Sequence, residues 1–478
     1  MSRKECHGLK ETIEKAMKEL KVHGAQVAIV KDADIIFNEA FGWADVEKKT
    51  KMTKEHLLPI GSSTKAFTAA AVVALAADGK VDLDTPVCTY LPEFQMSDPI
   101  ASKEATPRDL LCHRTGMPRH DLMWINWYEL EREDVVRRLR YLEASAPFRS
   151  IWQYQNHMYA TAGYLVDRLS GMSYEEFMAQ RFLEPLGMKH FSFAVEDTEQ
   201  YARLYTEDEN GDVKLTEPLS FHAMGPAGSI NSTAEEMIQW VRFHLNQGKV
   251  AEEQLIPEEL FAELHKPCIP YQILPFEFEE EMRIGYALGW CVDSYRGKRV
   301  IHHGGNVNGA TSLVTFMPDM NLGLVALVNA DHSMLPSALA YEVFDRFLGC
   351  EGEKDWFVTY DTQMRKLMKE MQQEKAGILD KKVEGTTPAH SLQEYVGRYE
   401  HPGYGVMTVQ EKDGGLVLQH NHYDLPLEHL HYETFTFTFL ELTFTAQFLT
   451  NVEGEVEQLL VPWQDGVKPI CFQKEKED

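Results

Sequence analysis

The sequence predicts an α+β protein whose first part is built on one antiparallel sheet and whose last part is a small all-β domain. Apolar segments of strand length lie near the start of the chain and again around residues 286–329, and the region between them has mainly helical periodicity. Strands that flank a helical middle favour a single sheet formed from both ends of that region. From Leu392 onward the apolar period becomes two, which is typical of short strands.

The amino-terminal elements follow from periodicity and turn residues. Residues 8–20 carry their apolar side chains on one face and predict an amphipathic helix. Apolar runs at 25–31 and 35–41 surround Asp32-Ala33-Asp34 and predict a β-hairpin. A further helix is predicted at 62–77, and because it is apolar almost all round it should be buried.

The later elements of the first part are predicted in the same way. Helices are expected at 133–143, 156–170, 173–183, 233–247 and 337–348. Strands are expected at 286–292 and 299–302, followed by a turn at Gly304-Gly305. The runs 312–317 and 322–329 predict an antiparallel hairpin with its turn at 318–321.

Composition divides the chain into three parts. We expect a mixed domain at 1–350, in which an antiparallel sheet is flanked by helices. A highly charged segment at 351–390 predicts a helical linker, because its methionines recur at helical spacing. Residues 391–478 predict a barrel or sandwich of about eight short strands.

The bulk composition argues against several classes of partner. With 44% hydrophobic residues, the 478-residue chain is expected to fold into more than one domain. Its net charge of −27 argues against nucleic acid or an anionic membrane as a partner. The sequence shows neither an 18-residue apolar run nor a secretory h-region, and its seven cysteines are scattered without C-x-x-C. We therefore expect a cytoplasmic protein with reduced thiols.

A Ser-x-x-Lys motif at the predicted start of the buried helix is the first candidate for chemistry. Ser62 and Lys65 are three residues apart, so their side chains share one helical face and the amine can reach the hydroxyl. A serine hydroxyl becomes a nucleophile when a neighbouring base accepts its proton. Taken alone, the motif is also compatible with a helix-capping serine and a solvated lysine.

A Ser-x-x-Lys enzyme needs a second acid–base group and an element that holds the substrate carbonyl. Two segments offer the second group, Tyr154-Gln155-Asn156 and Ser229-Ile230-Asn231. For the third element, Arg114-Thr115-Gly116 resembles K-T-G but follows a short helix. By contrast, His303-Gly304-Gly305 follows a predicted strand and leads into Asn306, so its context is the better one. The sequence contains neither K-T-G nor the G-x-S-x-G elbow of the α/β-hydrolases.

In order and separation, Gly61-Ser62-Ser63-Thr64-Lys65, Tyr154-Gln155-Asn156 and His303-Gly304-Gly305 resemble the motifs of the serine β-lactamase and penicillin-binding-protein superfamily. The chain is most similar to the class C-like esterase and D-peptidase branch, in which histidine replaces the K-T-G lysine. The resemblance covers about residues 8–350, and four further stretches support it: 110–116, 156–169, 226–233 and 286–290. The carboxyl-terminal part resembles the lipocalin-like β-domain found behind many such hydrolases.

The resemblance implies a role for each residue around the nucleophile. Ser62 would attack an ester or amide carbonyl and form an acyl-enzyme, with Lys65 accepting the hydroxyl proton. Tyr154 would pass that proton to the leaving group and then activate water. This requires that nearby cations, Lys65 and His303, lower the pKa of the phenol. Asn156 would hydrogen-bond the substrate or Lys65.

The second wall of the site would come from the histidine motif. The backbone N–H groups of Ser62 and Asn306 would hold the oxyanion, and Gly304 and Gly305 would allow the close approach. A histidine in place of the K-T-G lysine is neutral at pH 7 unless it is perturbed. Hydrolysis of esters, small amides or D-amino-acid peptides is therefore favoured over strong β-lactamase activity.

Other functions stay open at this point. A penicillin-sensor type would acylate with little turnover, a weak β-lactamase would turn over slowly, and a silent scaffold would assemble through its β-domain. No cofactor is expected. His420-x-His422 and His429-x-His431 could each share a strand face, but a polar hairpin face accounts for them better than a metal. The expected partner is a small ester, amide or short peptide, and a homo-oligomer could form through the carboxyl-terminal domain. Aromatic residues near the tyrosine motif could line an apolar pocket or pack in the core: Trp124, Trp127, Tyr128, Phe148 and Trp152.

Overall fold

The structure is a computed structural model that describes residues 4–125, 127–194, 198, 200–207, 212–216, 219, 221–274, 276–379, 382–439 and 442–476, with residues 371–379 as backbone only. An eight-stranded antiparallel sheet lies at the centre of the first part. Its strands in chain order are β1 (Gly24–Lys31), β2 (Asp34–Asp45), β3 (Thr50–Lys51), β4 (Glu281–Tyr286), β5 (Cys291–Tyr295), β6 (Lys298–Val307), β7 (Ala310–Met317) and β8 (Leu322–Val328). The order across the sheet is β4-β5-β6-β7-β8-β1-β2-β3.

The two ends of the first part meet in the middle of this sheet. β1 pairs with β8 over seven residues, with Val27 opposite Ala326 and Ile29 opposite Leu324. β7 and β8 form the predicted hairpin, whose turn is a 3₁₀ turn at Pro318–Met320. The predicted α+β architecture, with one sheet built from both chain ends, is confirmed.

In chain order, the helices of the described residues are α1 (Leu9–Glu19), α2 (Thr64–Ala77), α3 (Pro99–Glu104), α4 (Pro107–Leu111), α5 (Arg132–Arg138), α6 (His157–Ser170), α7 (Tyr174–Met178), α8 (Gly225–Gly228), α9 (Ala234–Leu245), α10 (Glu258–Glu263), α11 (Leu335–Leu348), α12 (Trp356–Leu379) and α13 (Leu392–Tyr395). Two predicted helices are shorter than expected. The helix predicted at 133–143 ends as an α-helix at Arg138, and the one predicted at 173–183 gives way to a π-turn at Ala179.

Alternate side chains of β1 pack in two separate hydrophobic cores. Val27 and Ile29 pack in one core with α1 and α11, whereas Ala28 and Val30 pack in the other with α2 and α9. Successive residues of a strand point to opposite faces, so a strand that is apolar throughout must be covered on both sides. The sheet is therefore the middle of three layers, and α2 lies in the larger core.

The motif serine lies one turn before α2. Gly61–Ser63 forms a 3₁₀ turn, and every residue of α2 from Thr64 to Leu75 is buried. Phe67 stacks on Trp240 of α9, with their ring centroids 3.9 Å apart. The helix that carries Lys65 is thus fixed inside the core, as the all-apolar pattern predicts.

The strand predicted at 286–292 is wrong, because the chain turns within it. β4 ends at Tyr286 and β5 begins at Cys291. Between them Gly289 has a φ of +75°, and a Cβ at this residue would lie 2.7 Å from the Lys65 carbonyl oxygen. The glycine lets the turn pack against the start of α2.

The turn predicted at Gly304-Gly305 is also wrong. β6 continues through both glycines to Val307, and Gly305 pairs with Ser312 of β7. A Cβ on Gly305 would lie 1.9 Å from the Ile60 carbonyl oxygen. The glycine therefore serves the close approach of a strand to the turn that carries Ser62, and does not end the strand.

The carboxyl-terminal part is a closed barrel of eight antiparallel strands, as expected from its period-two pattern. The strands are β9 (Gly397–His401), β10 (Gly405–Lys412), β11 (Gly415–His420), β12 (Tyr423–His431), β13 (Thr434–Phe439), β14 (Leu442–Thr450), β15 (Val456–Val461) and β16 (Ile470–Lys474). Each strand pairs with the next, and β9 pairs with β16 to close the barrel. We infer the three-part division expected above, with α12 in the linker.

The barrel and the first part share one continuous apolar core. Trp463 of the barrel and Met123 of the first part belong to the same cluster of buried residues. None of the helices in the described part of the chain combines the length and the apolar character that a membrane-spanning helix needs.

Candidate active site

The Ser62 hydroxyl is within reach of the buried amine of Lys65. Lys65 Nζ lies 3.1 Å from Ser62 Oγ, although the serine precedes the helix. The same nitrogen lies 2.7 Å from Asn156 Oδ1 and 2.9 Å from the Ala227 carbonyl oxygen. Three oxygens from three separate segments therefore surround one amine.

Burial dominates the electrostatics of Lys65. Its side chain is fully buried, which disfavours the charged form and holds the pKa of the amine well below its usual value. The guanidinium of Arg119 lowers this pKa further, and the carboxylate of Asp121 partly opposes the shift.

Tyr154 lies beside the same pair. Lys65 Nζ is 4.8 Å from the centre of the phenol ring, and the Ser62 side chain lies close enough to the phenol to influence its pKa. Burial raises the pKa of Tyr154, and the Ser62 side chain and the charge of Arg119 only partly offset this rise. The expectation that cations lower this pKa overall is therefore wrong for the free enzyme, because desolvation is the larger effect.

His303 closes the site on the strand side. It is buried, its Nε2 lies 3.0 Å from the Tyr286 hydroxyl, and its Nδ1 lies 2.6 Å from the Gly304 carbonyl oxygen. Nδ1 therefore carries the proton, and Nε2 accepts from the tyrosine. Burial lowers the pKa of His303 to about 3, with a further contribution from Lys65. The ring is neutral at pH 7, so His303 does not supply the cation expected near Tyr154.

The backbone of β6 lies directly against the serine turn. A Cβ on Gly305 would be 2.8 Å from the Ser62 backbone nitrogen, and one on Gly61 would be 3.2 Å from the Asn306 backbone nitrogen. Ser63 donates to the His303 carbonyl oxygen over 3.0 Å and so ties the turn to the strand. The structure thus brings together the sequence-predicted residues Ser62, Lys65, Tyr154, Asn156, His303, Gly304, Gly305 and Asn306.

The two alternative motif segments, Arg114-Thr115-Gly116 and Ser229-Ile230-Asn231, make contacts that stabilise the fold. Arg114 forms an ion pair with the buried carboxylate of Asp109. Ser229-Ile230-Asn231 lies behind the nucleophile: the Ile230 carbonyl accepts from the Ile60 backbone, and Asn231 pairs with Pro59 in a two-stranded ladder.

The histidines of the first pair, His420 and His422, do not share a strand face. β11 ends at His420, and Asn421 and His422 follow in left-handed conformations. His420 is buried against Trp463, whereas His422 lies against Tyr128. Within the described ranges, no three His, Cys, Asp or Glu side chains are grouped to hold a metal ion.

The three tryptophans among the aromatic residues named above lie in three different places. Trp152 packs on Tyr154 and Trp124 stacks on Phe221, whereas Trp127 faces the barrel at Gly405. Phe221 lines a cavity of about 290 Å³ that lies beside the site and is also bounded by Pro59, Phe193, Gly228, Ser229 and Val307. Glu175, His222 and Asn231 line the cavity as well, so its wall is partly polar.

Sequence reasoning missed two charged residues of the site, Arg119 and Asp121. Asp121 Oδ1 accepts from Asn156 over 2.9 Å, and its Oδ2 accepts from Arg119 over 2.6 Å. The Arg119 guanidinium lies 5.2 Å from the centre of the Tyr154 ring. Both residues follow the supporting stretch 110–116 closely in sequence, which is the signal that could have found them.

Comparison with known proteins identifies the family. The family described as Beta-lactamase matches residues 9–345, and a domain of unknown function (DUF3471) matches residues 381–474. A relative from Aspergillus violaceofuscus, named unguisins hydrolase ungD, is 27% identical over 94% of this chain and 86% of its own length.

Two solved structures share the fold. The octameric penicillin-binding protein homologue from Pyrococcus abyssi aligns with a TM-score of 0.65 and 22% identity, over 98% of this chain and 99% of its own. The D-amino acid amidase from Ochrobactrum anthropi SV3 aligns with a TM-score of 0.59 and 23% identity, over 72% of this chain and 98% of its own. The family match spans well over half of the sequence, so the chain belongs to the β-lactamase family and is a hydrolase.

Proposed function

We propose that the protein is a serine hydrolase that forms an acyl-enzyme through Ser62 and hydrolyses ester or amide bonds of small substrates. The observation that carries this proposal is the buried Lys65 amine, 3.1 Å from the Ser62 hydroxyl and with its pKa lowered by burial. A nucleophile next to a desolvated base is the arrangement that activates a serine.

The hydrogen bonds of Lys65 suit the neutral amine. Its two N–H groups have two acceptors, the Asn156 side-chain oxygen and the Ala227 carbonyl. The lone pair is then left for the proton of Ser62. As Ser62 attacks the carbonyl, its Oγ–C bond forms and its proton passes to Lys65.

Tyr154 is placed to complete the proton path. Its phenol lies beside Ser62 and close to Lys65. Because its pKa is raised, we propose that Tyr154 acts mainly as a neutral relay: it donates its proton to the leaving group and takes one back from Lys65. The same relay in reverse would activate water for deacylation.

The substrate carbonyl has a natural place between the serine turn and β6. We propose that the Ser62 and Asn306 backbone N–H groups hold the oxyanion, since Gly305 lets these two backbones approach. His303 would then orient the strand edge through its bonds to Tyr286 and Gly304 and carry no charge.

The substrate class follows from the neutral His303 and the adjoining cavity. A β-lactam or peptidoglycan carboxylate would meet no histidine cation here, whereas an uncharged acyl group could enter the 290 Å³ cavity. We propose esters, small amides and D-amino-acid peptides as substrates. The relative named as an unguisins hydrolase and the D-amino acid amidase fold support hydrolysis of this kind.

A second candidate is a penicillin-sensor type that acylates and turns over slowly. The raised pKa of Tyr154 favours this alternative, because a phenol that gives up its proton with difficulty slows deacylation.

We also propose that the protein forms a homo-oligomer through the barrel. The octameric homologue, which aligns with 98% of this chain, supports this proposal.

A substrate panel on wild type and Ser62→Ala tests the proposal. The panel contains short-chain p-nitrophenyl esters, D- and L-aminoacyl amides and a chromogenic cephalosporin. We expect continuous turnover of esters or D-amides by wild type and a loss of at least about 10³-fold in Ser62→Ala. A burst without turnover would favour the sensor, and equal activity of the two proteins would refute the proposal.

A further inference from the structure

One short segment lies between the proposed active site and the barrel. This bridging segment, residues 118–125, contacts the site through Arg119 and Asp121 and the barrel through His120. Consecutive residues of the segment thus face two different parts of the molecule.

On the active-site side, a chain of polar contacts runs to the nucleophile. Arg119 donates to Asp121, Asp121 accepts from Asn156, and the Asn156 oxygen accepts from Lys65. The distances along this chain are 2.6, 2.9 and 2.7 Å. The last member, Lys65, lies next to Ser62, so a movement of Asp121 is transmitted to the proposed general base.

On the barrel side, His120 is held by three hydrogen bonds. The Tyr404 hydroxyl lies 2.7 Å from Nδ1, the Glu143 carbonyl lies 2.8 Å from Nε2, and the backbone N–H donates to Gln464 over 2.6 Å. Because a carbonyl can only accept, Nε2 carries the proton and Tyr404 donates to Nδ1. Both rings are buried, so this bond is protected from water.

The backbone of the segment is constrained in the same way. His120 has a φ of +46°, which is uncommon for a residue with a side chain and needs support from its surroundings. Downstream, Asn421 of the barrel donates to the carbonyl oxygens of Met123 and Ile125, at 3.2 Å each. Barrel residues therefore fix the segment at both His120 and its carboxyl-terminal end.

We propose that the barrel is part of the catalytic apparatus, with Tyr404 as a positioning residue that acts through His120 on the Arg119–Asp121–Asn156 chain. The inference rests on the proposed function, since it assigns the chain the task of orienting Lys65 toward Ser62. A small misplacement of a catalytic group lowers the rate by a large factor. Loss of the hydrogen bond between Tyr404 and His120 should therefore lower the reactivity of Ser62, although neither residue contacts the serine.

The test compares two tyrosines of the barrel. Tyr404→Phe removes the bond to His120, whereas Tyr399→Phe removes a 2.7 Å bond from a buried phenol to the Tyr395 carbonyl, inside the barrel. The readouts are the rate constant for labelling of Ser62 by a fluorophosphonate and the midpoint of thermal unfolding. We expect Tyr404→Phe to label about tenfold more slowly than Tyr399→Phe, whatever the two midpoints are.

A second variant and a coupling measurement guard against misfolding of Tyr404→Phe. Asn421→Gly removes the amide and tolerates the left-handed backbone of this residue, so we expect slower labelling here too. In an Asp121→Asn background, Tyr404→Phe should cause no further loss, because both changes break one chain. If Tyr404→Phe, Asn421→Gly and Tyr399→Phe label at equal rates, this inference is overturned and the proposed function still stands. Absence of labelling in wild type would overturn the proposed function as well.

Discussion

At the scale of single residues, the site centres on Lys65. Its spacing from Ser62 is visible in the sequence, and so is the order of the later motifs. The two other acceptors of its amine are not, because Asn156 and Ala227 are 91 and 162 residues away along the chain. The lowered pKa of Lys65 depends on burial, which only the assembled core provides.

Replacement of Lys65 by arginine tests its role as a base. Arginine carries a positive charge and cannot release its proton near neutral pH, so it cannot replace the neutral amine proposed for Lys65, and Lys65→Arg should lower ester turnover by at least about 10³-fold. Lys18→Arg, on the exposed face of α1, is the matched control and should behave as wild type. Turnover of Lys65→Arg within a fewfold of wild type would show that another group takes the proton.

At the scale of elements, β6 shows where local patterns mislead. Two adjacent glycines predict a turn, yet both lie in a strand. Glycine serves here because the Ile60 carbonyl and the Ser62 nitrogen occupy the space of a side chain at Gly305. That neighbour comes from a distant part of the chain, so sequence periodicity alone could not separate the two roles of glycine.

The two glycines should respond differently to substitution by alanine. A Cβ on Gly305 would collide with backbone at 1.9 Å, whereas one on the exposed Gly304 would meet its nearest atom, the Ser312 carbonyl oxygen, at 3.4 Å. Gly305→Ala should lower the free energy of unfolding by about 3 kcal/mol or more, and Gly304→Ala by less than about 1 kcal/mol. Urea unfolding of both variants measures this. Equal losses would mean that β6 does not approach Ile60 as described.

At the scale of the whole molecule, the sequence predicted the architecture well. Periodicity identified the sheet from both chain ends and the eight-stranded barrel, because both depend on patterns that repeat within short segments. It did not reveal how the barrel meets the active site, since His120, Tyr404 and Asn421 carry no local pattern. Contacts between distant surfaces depend on the finished fold.

Buried histidines predict acid sensitivity of the whole fold. Burial lowers the pKa of His157, His265 and His303 to about 3, against 6.5 when unfolded. Between these two pKa values the unfolded chain binds more protons than the folded chain. The contribution of these histidines to stability is therefore fully present above pH 6.5 and is lost as the pH is lowered toward 3.

Thermal unfolding at pH 7 and pH 5 measures this acid sensitivity. We expect a lower midpoint at pH 5 than at pH 7. Between these two pH values, the free energy of unfolding of His157→Leu should fall by about 2 kcal/mol less than that of wild type. A midpoint that does not change between the two pH values would contradict neutral, buried histidines.

The most direct test of the central claim is to trap the acyl-enzyme. Wild type is mixed with a p-nitrophenyl ester, and the reaction is quenched in acid after milliseconds to seconds. The protein is then digested, and the mass of the peptide that contains Ser62 is measured by mass spectrometry. We predict an added acyl mass on Ser62, which disappears when the substrate is exhausted and is absent from Ser62→Ala. Steady turnover with an unmodified Ser62 peptide at every time point would contradict acyl transfer through this serine.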